Sequence, residues 1–124
     1  MSDKTASEAD GAPFTPKFDA SGLLTAVIVD DATAEVLMVA FMDREALVAT
    51  VATGEAHFHS RSRGRLWKKG ESSGNVLRVE EIRVDCDQDA LVLRCRPAGP
   101  VCHTGERTCL YRRLEGGVLQ PVNS

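Results

Sequence analysis

The chain has 124 residues, which is the length of one domain, and it can bury a modest hydrophobic core. Its formal net charge of −3 argues against a general nucleic-acid-binding protein, and no apolar run approaches the roughly 20 residues of a membrane-spanning helix. The N-terminus has no hydrophobic stretch typical of a secretory signal, so we expect a cytoplasmic protein whose four cysteines bind metal or pack in the core.

The first half of the chain predicts a tail and then a pair of strands. Residues 1–16 are small, polar and interrupted by proline, which predicts a flexible tail, and residues 17–124 are expected to form the domain. Residues 23–29 and 36–41 are apolar and rich in β-branched side chains. These two runs predict buried strands joined as a hairpin.

A helix is predicted directly after the second strand. Asp43 is typical of a helix N-cap, and Gly54 is typical of the residue at which a helix ends. Leu47, Val48 and Val51 fall on one side of this helix and predict its apolar face.

The second half of the chain predicts mainly strands. Four segments have strand-like composition, whereas residues 61–74 are rich in charge, glycine and serine and predict a loop. The predicted strands are residues 57–61, 76–84, 90–95 and 110–114. One helix among six or seven strands predicts a compact, β-rich α+β domain.

Residues 85–89, here called the acidic segment, read Asp85-Cys86-Asp87-Gln88-Asp89. If the segment is extended, its three aspartates point to one side and Cys86 to the other. Clustered carboxylates suit a hard cation such as Mg²⁺, and a thiolate suits a softer ion such as zinc. The alternative is a solvated acidic turn without a metal.

Residues 102–109, here called the cysteine loop, carry Cys102, His103 and Cys109. With Cys86 they provide three thiolates, and a fourth position open to water is the arrangement of a catalytic zinc. The alternative is a structural zinc with His103 as fourth ligand. Cys95 lies within an apolar run and is interpreted as a core residue.

Residues 60–74, here called the basic segment, combine five cationic side chains with hydroxyls, glycines and one tryptophan. Guanidinium groups and backbone amides bind phosphate oxygens, and an indole ring can stack on a nucleobase. The alternative is a solvated basic loop. The candidate substrate ligands are Arg61, Ser62, Arg63, Trp67, Lys69, Ser72 and Ser73.

Four motifs in this order and spacing resemble the phosphoribosyl-AMP cyclohydrolase family of histidine biosynthesis: LMVAFMDREAL, SRSRGRLWKKGESSGN, VDCDQDALVL and CHTGERTCLY. The resemblance covers residues 23–111, nearly the whole domain. Two positions depart from the pattern, since an aromatic residue is expected at His59 and an aliphatic one at Cys95.

The resemblance implies an intertwined homodimer that hydrolyses the N1–C6 bond of the adenine ring of phosphoribosyl-AMP, with zinc and magnesium as cofactors. It maps the zinc ligands onto Cys86 of one subunit and Cys102 and Cys109 of the other. The magnesium ligands map onto Asp85, Asp87 and Asp89. The family's histidine maps onto His103, our candidate general base.

One alternative function comes from a different class of protein. A small structural-zinc module could use the basic segment to bind RNA or a phosphorylated partner. The acidic net charge and the acidic segment argue against it. We therefore expect a small nucleotide substrate, and neither nucleic acid nor a membrane as partner.

Overall fold

A computed structural model describes residues 11–122 of the chain, so most of the predicted tail lies outside the described residues. The described part is a β-rich α+β domain, as predicted, and its elements follow in chain order. They are β1 (Leu24–Asp30), β2 (Val36–Met42), α1 (Arg44–Thr53), β3 (His57–Ser60), β4 (Arg65–Lys68), β5 (Leu77–Val84), β6 (Ala90–Pro97), β7 (Arg112–Glu115) and β8 (Val118–Pro121).

Four strands form the central sheet in the order β2-β1-β6-β5. The predicted β1–β2 hairpin is confirmed, and β5 pairs with β6 in the same antiparallel way. The parallel pair β1–β6 brings the two hairpins together, with Val27 opposite Val92. The acidic segment therefore lies between β5 and β6, at one end of the sheet.

The hydrophobic core covers one face of this sheet. Alternate residues of β1, namely Leu24, Ala26 and Ile28, are fully buried, as period-two alternation requires. Phe58 of β3 is also fully buried in this cluster. Cys95 of β6 is buried with them, which confirms its interpretation as a core residue.

Helix α1 begins and ends where the sequence predicts. The Asp43 side chain accepts a hydrogen bond from the Ala46 backbone N–H at 2.9 Å, and Gly54 ends the helix with a φ of 75°. No helix among residues 11–122 is long and apolar enough to cross a membrane.

The predicted apolar face of α1 is correct for Leu47 and wrong for Val48 and Val51. The helix buries Ala46, Leu47 and Thr50, whereas Val48 and Val51 are 60% and 65% exposed. Each helical residue advances by about 100°, so a face centred one position earlier leaves both valines on the outside.

The predicted loop of residues 61–74 and the predicted last strand both need correction. Strand β4 lies inside the basic segment and pairs with β3, because Leu66 and Trp67 supply apolar surface between charged neighbours. At the C-terminus, β7 and β8 form a hairpin in place of one strand. Its turn uses Gly116 and Gly117, which both have positive φ.

Part of the predicted tail contacts the acidic segment. The backbone N–H of Thr15 donates to the Gln88 side chain at 2.8 Å, and that of Lys17 donates to the Gln88 carbonyl at the same distance. Flexibility of residues 1–16 stays a prediction.

Candidate active site

An open pocket of about 800 Å³ lies beside β2, the β3–β4 hairpin and the cysteine loop. This volume lies within the range of small-molecule binding sites. Most of the predicted substrate ligands and three residues of the cysteine loop line it. They are Ser62, Arg63, Trp67, Lys69, Ser72, Ser73, Cys102, His103 and Gly105.

The turn of the β3–β4 hairpin forms one side of this pocket. The backbone N–H of Arg63 donates to the Ser60 hydroxyl at 3.2 Å, and that of Gly64 donates to the Ser60 carbonyl at 2.7 Å. Arg61 does not line the pocket, but its guanidinium lies 4.1 Å from the ring centre of Phe41, which does. The turn therefore holds cationic and hydroxyl groups close to the end of β2.

The other end of the hairpin lies against the cysteine loop. Trp67 is half-buried, with its ring 5.3 Å from that of Phe58, so it both packs on the core and faces the pocket. The ammonium group of Lys69 donates to the carbonyl of Val101. The basic segment thus contributes to two separate parts of the pocket. Lys69 lies in the part next to the cysteine loop.

The cysteine loop is fixed to the edge of β2. The Cys109 backbone N–H donates to the Leu37 carbonyl at 2.7 Å, and the buried Thr108 hydroxyl donates to the Val36 carbonyl at 2.8 Å. An ion pair between Arg107 and Glu35 adds a third link to the segment before β2. Within the part of the chain described, the loop is therefore held by both main-chain and side-chain bonds.

The two thiols of the cysteine loop lie against each other and differ in acidity. The Thr104 hydroxyl donates to Cys102 Sγ at 3.0 Å, and this bond lowers the pKa of Cys102. Burial, together with the neighbouring Cys102, raises the pKa of Cys109. Cys102 therefore ionises first, and the pair offers two soft donors to a metal ion.

The acidic segment is a tight turn, so the prediction of an extended segment with alternating faces is wrong. The Asp85 backbone N–H donates to the Ala90 carbonyl at 3.1 Å, and Gln88 adopts a φ of 60°. The turn nevertheless brings the side-chain oxygens of Asp85, Asp87 and Asp89 within 4.8 Å of one another. All three side chains are exposed.

Hydrogen bonding separates the acidities of these carboxyl groups. The Asp89 backbone N–H donates to Asp85 at 2.9 Å, and this bond is the main reason that the pKa of Asp85 is lowered. The hydrogen bond with Asp85 and the charges of Asp85 and Asp87 raise the pKa of Asp89. A hard divalent cation would relieve this repulsion, so the donor set fits Mg²⁺.

Cys86 does not join the other two cysteines within one chain. In residues 11–122 the three aspartates are the only group of three or more possible metal ligands whose donor atoms lie within 4.8 Å of one another. Cys86 is exposed on the acidic segment, whereas Cys102 and Cys109 lie beside β2. A single chain thus provides two of the three predicted thiolates at one place.

Several lining residues were absent from the predicted ligands, His59 and Asn75 among them. The sequence held one signal for His59, since this residue directly precedes the basic segment and occupies a position expected to be aromatic. Asn75 packs so closely on Gly99 that a Cβ there would collide with its side chain. No sequence pattern predicts this contact, because the two residues lie in segments that are distant along the chain.

Comparison with known proteins gives one consistent result. A family model described as phosphoribosyl-AMP cyclohydrolase matches residues 38–111. Proteins of that name are similar to this chain: one from Rhizorhabdus wittichii is 66% identical over 105 residues, covering 85% of each chain. One from Erythrobacter litoralis is 59% identical over the full length of both, and one from Brucella anthropi is 61% identical over 91% of this chain and 81% of its own. None of these names supports the alternative of a structural-zinc module.

Proposed function

Because the chain belongs to the phosphoribosyl-AMP cyclohydrolase family, we propose that it is a hydrolase that opens the adenine ring of phosphoribosyl-AMP in histidine biosynthesis. The observation that carries this proposal is the pocket, which joins phosphate-binding and base-stacking side chains to Cys102 and His103. A phosphorylated nucleotide and a hydrolytic step need these two kinds of group in one cavity.

The substrate's own structure makes ring opening feasible. Its adenine carries a second ribose phosphate at N1, which disturbs the aromatic ring and makes C6 electrophilic. Water attacks C6, the C6–N1 bond breaks, and a proton is transferred to the departing nitrogen. The product is an imidazole carboxamide that carries a formimino arm.

Zinc is the proposed partner of the cysteines, with Cys86 from one subunit and Cys102 and Cys109 from the other. The contact between Cys102 and Cys109 and the lowered pKa of Cys102 support this donor set. When bound, a zinc ion supplies a Lewis acid that makes water acidic enough to be a nucleophile near neutral pH.

The chain's own side chains would bind the substrate and move its protons. His103 is exposed, lines the pocket and directly follows Cys102, so its imidazole is placed to accept a proton from the attacking water. Trp67 presents an aromatic face to the purine, while its contact with Phe58 fixes that face. Ser72 and Ser73 also line the pocket and offer hydroxyls to the substrate.

Magnesium is the proposed ion of the acidic segment. Three exposed carboxylates within 4.8 Å of one another repel each other, and a bound cation would relieve that repulsion. The ion would neutralise substrate phosphate and orient it. These oxygens suit Mg²⁺ better than zinc, which prefers the sulfur ligands of the cysteines.

A homodimer is proposed because one face of the sheet is only partly covered. Val39, Val27 and Val92 lie in one row across β2, β1 and β6 by strand register. Val39 is 49% exposed, and the other two are half-buried. A second copy that covers this row would bury apolar surface and could bring its Cys86 to the cysteine loop of the first.

The proposed activity is tested by following ring opening of phosphoribosyl-AMP by its ultraviolet absorbance, with and without a chelator. We expect turnover by the purified protein, loss of turnover after removal of zinc, and recovery when zinc is returned. Circular dichroism before and after chelation checks that the domain stays folded. Intact folding without any turnover of zinc-loaded protein would refute the proposed activity.

A further inference from the structure

The pocket has two ends that are separated along β2. At one end the Leu37 carbonyl accepts the hydrogen bond from Cys109, and at the other Asp43 follows the strand and contacts His59. The six residue-to-residue steps from Leu37 to Asp43 span on the order of 20 Å at about 3.4 Å per residue. His59 therefore lies far along the pocket from the cysteines and from His103.

The helix cap fixes the position of His59. Asp43 uses Oδ1 to accept the Ala46 N–H of helix α1, and its Oδ2 lies 3.2 Å from His59 Nδ1. Nδ1 is buried, and its approach is too far from the N–H direction to form a hydrogen bond. The contact is therefore an ion pair when the imidazole is protonated. The side chain is 20% exposed and lines the pocket, and its other ring nitrogen, Nε2, is not needed for the contact with Asp43.

The groups beside His59 favour an anion. Ser60, Ser62 and Arg63 line the same part of the pocket, and Arg61 lies over Phe41 next to it. Asp43 is the carboxylate that His59 contacts, and it also accepts a hydrogen bond from the N-terminus of helix α1. An imidazolium between this carboxylate and a phosphate is stabilised from both sides.

From this geometry we infer that His59 binds a phosphate group of the substrate through Nε2, and that Asp43 positions its ring. The inference deepens the proposed function and rests on it for the identity of the substrate. The phosphate is the one that lies at the far end of the pocket when C6 is at the cysteine loop. A role for His59 in the chemistry itself is disfavoured by its distance from that loop.

Steady-state kinetics of His59→Phe and His59→Gln test this assignment. Phenylalanine keeps the ring shape and removes the donor, whereas the glutamine amide can still donate to phosphate. We expect His59→Phe to raise KM about tenfold with kcat changed less than about threefold, and His59→Gln to recover part of the binding. His57→Gln is the matched control, because His57 belongs to the same strand and does not line the pocket. An unchanged KM in His59→Phe, or a loss confined to kcat, would overturn the inference.

A second measurement does not depend on turnover. We expect titration with inorganic phosphate to move the His59 imidazole signals in a nuclear magnetic resonance spectrum, saturably, and to leave those of His57 in place. Asp43→Asn keeps a good helix cap and removes the charge, so it should weaken phosphate binding several-fold with little change in melting temperature. A His59 signal that ignores phosphate would refute the phosphate site even if ring opening proceeds normally. Phosphate binding at His59 without ring opening would instead refute the proposed activity alone.

Discussion

The backbone N–H of Cys109 donates to the carbonyl of Leu37 at 2.7 Å, so the second thiol of the candidate zinc site is hydrogen-bonded to the edge of the central sheet. Thr108 strengthens this link, since its buried hydroxyl donates to the Val36 carbonyl and accepts the Leu110 N–H. The position of Cys109 thus depends on strand β2.

The first prediction concerns Thr108→Val. Valine has the same shape but leaves the Val36 carbonyl and the Leu110 N–H without their partner, so we expect a loss of about 1–2 kcal/mol in unfolding free energy. Zinc affinity should fall as well, because Cys109 becomes less firmly placed. Chemical denaturation and a zinc-chelator competition measure the two effects.

The matched control for this change is Thr25→Val on β1. Thr25 is half-buried in the same sheet and pairs with Phe41, at the other end of β2 from Val36. We expect a change within about 0.5 kcal/mol and normal zinc affinity. Equal effects of the two substitutions would show that Thr108 has no special role in holding the loop.

Local signals in the sequence were sufficient for much of the fold. Asp43 and Gly54 identified the two ends of helix α1, because an N-cap and a left-handed glycine act on their immediate neighbours. The strands followed from apolar runs in the same way. The buried side of α1 could not be predicted from local signals, because packing against β3 buries Ala46 and Thr50 and leaves Val48 and Val51 exposed.

The candidate site was predictable in its residues and less so in its geometry. The acidic segment was expected to be extended, yet the positive φ of Gln88 turns the chain, and the turn is what gathers the three carboxylates. The contacts of Lys69 with Val101 and of His59 with Asp43 join segments far apart in sequence. Their pairing depends on tertiary packing, which residue type and spacing do not specify.

The second prediction concerns the reactivity of Cys95. Burial raises the pKa of its thiol to about 12, from an ordinary value of 9.0. At pH 8 only on the order of one part in ten thousand is thiolate, so alkylating reagents should leave Cys95 unmodified in the folded, metal-free protein. Exposed Cys86 should react readily, and mass spectrometry of peptides distinguishes the two.

The same shift has a consequence for stability. A thiol whose pKa is higher in the folded state stabilises the fold below pH 9 and loses that contribution as the pH rises toward 12. Cys95→Val should remove this dependence and change stability by less than about 1.5 kcal/mol, because it replaces one apolar core side chain with another. Rapid alkylation of Cys95 at pH 8 in folded protein would contradict its assignment to the core.

The third prediction concerns magnesium at the acidic segment. Asp87→Asn removes one charge without removing a hydrogen bond of the turn, so we expect about a tenfold higher magnesium concentration for half-maximal activity and unchanged zinc content. Because the pKa of Asp89 is raised, protons should compete with magnesium at a higher pH than at an isolated aspartate. Activity titrations with magnesium at several pH values measure both effects.

Glu115→Gln on β7 provides the control for a lost surface charge, and it should leave the magnesium requirement unchanged. The conservative change Asp87→Glu should recover part of the affinity. If all three aspartates of the acidic segment could be replaced by asparagine without any change in magnesium dependence, the segment would be a solvated turn and no metal site.

The fourth prediction concerns the proposed sharing of a zinc site between subunits. Cys86→Ser and Cys109→Ser chains should each lack zinc and activity as homodimers, because every site loses one thiolate. In a heterodimer of the two, one site collects both defects and the other has Cys86, Cys102 and Cys109 intact. Chains unfolded together and refolded with zinc should therefore regain about a quarter of wild-type activity, since half of randomly formed dimers are heterodimers with one intact site.

A mixture of Cys102→Ser and Cys109→Ser chains is the matched control for this experiment. Both defects then lie in the pair that one subunit contributes, so each site of a heterodimer still lacks one of the two thiolates. Activity should stay absent, although the same number of heterodimers forms, which native mass spectrometry can count. Recovery in both mixtures would point to exchange of metal or repair unrelated to sharing. No recovery in the first mixture, with heterodimers present, would place all three thiolates in one chain and require Cys86 to move from the position that it has beside β5.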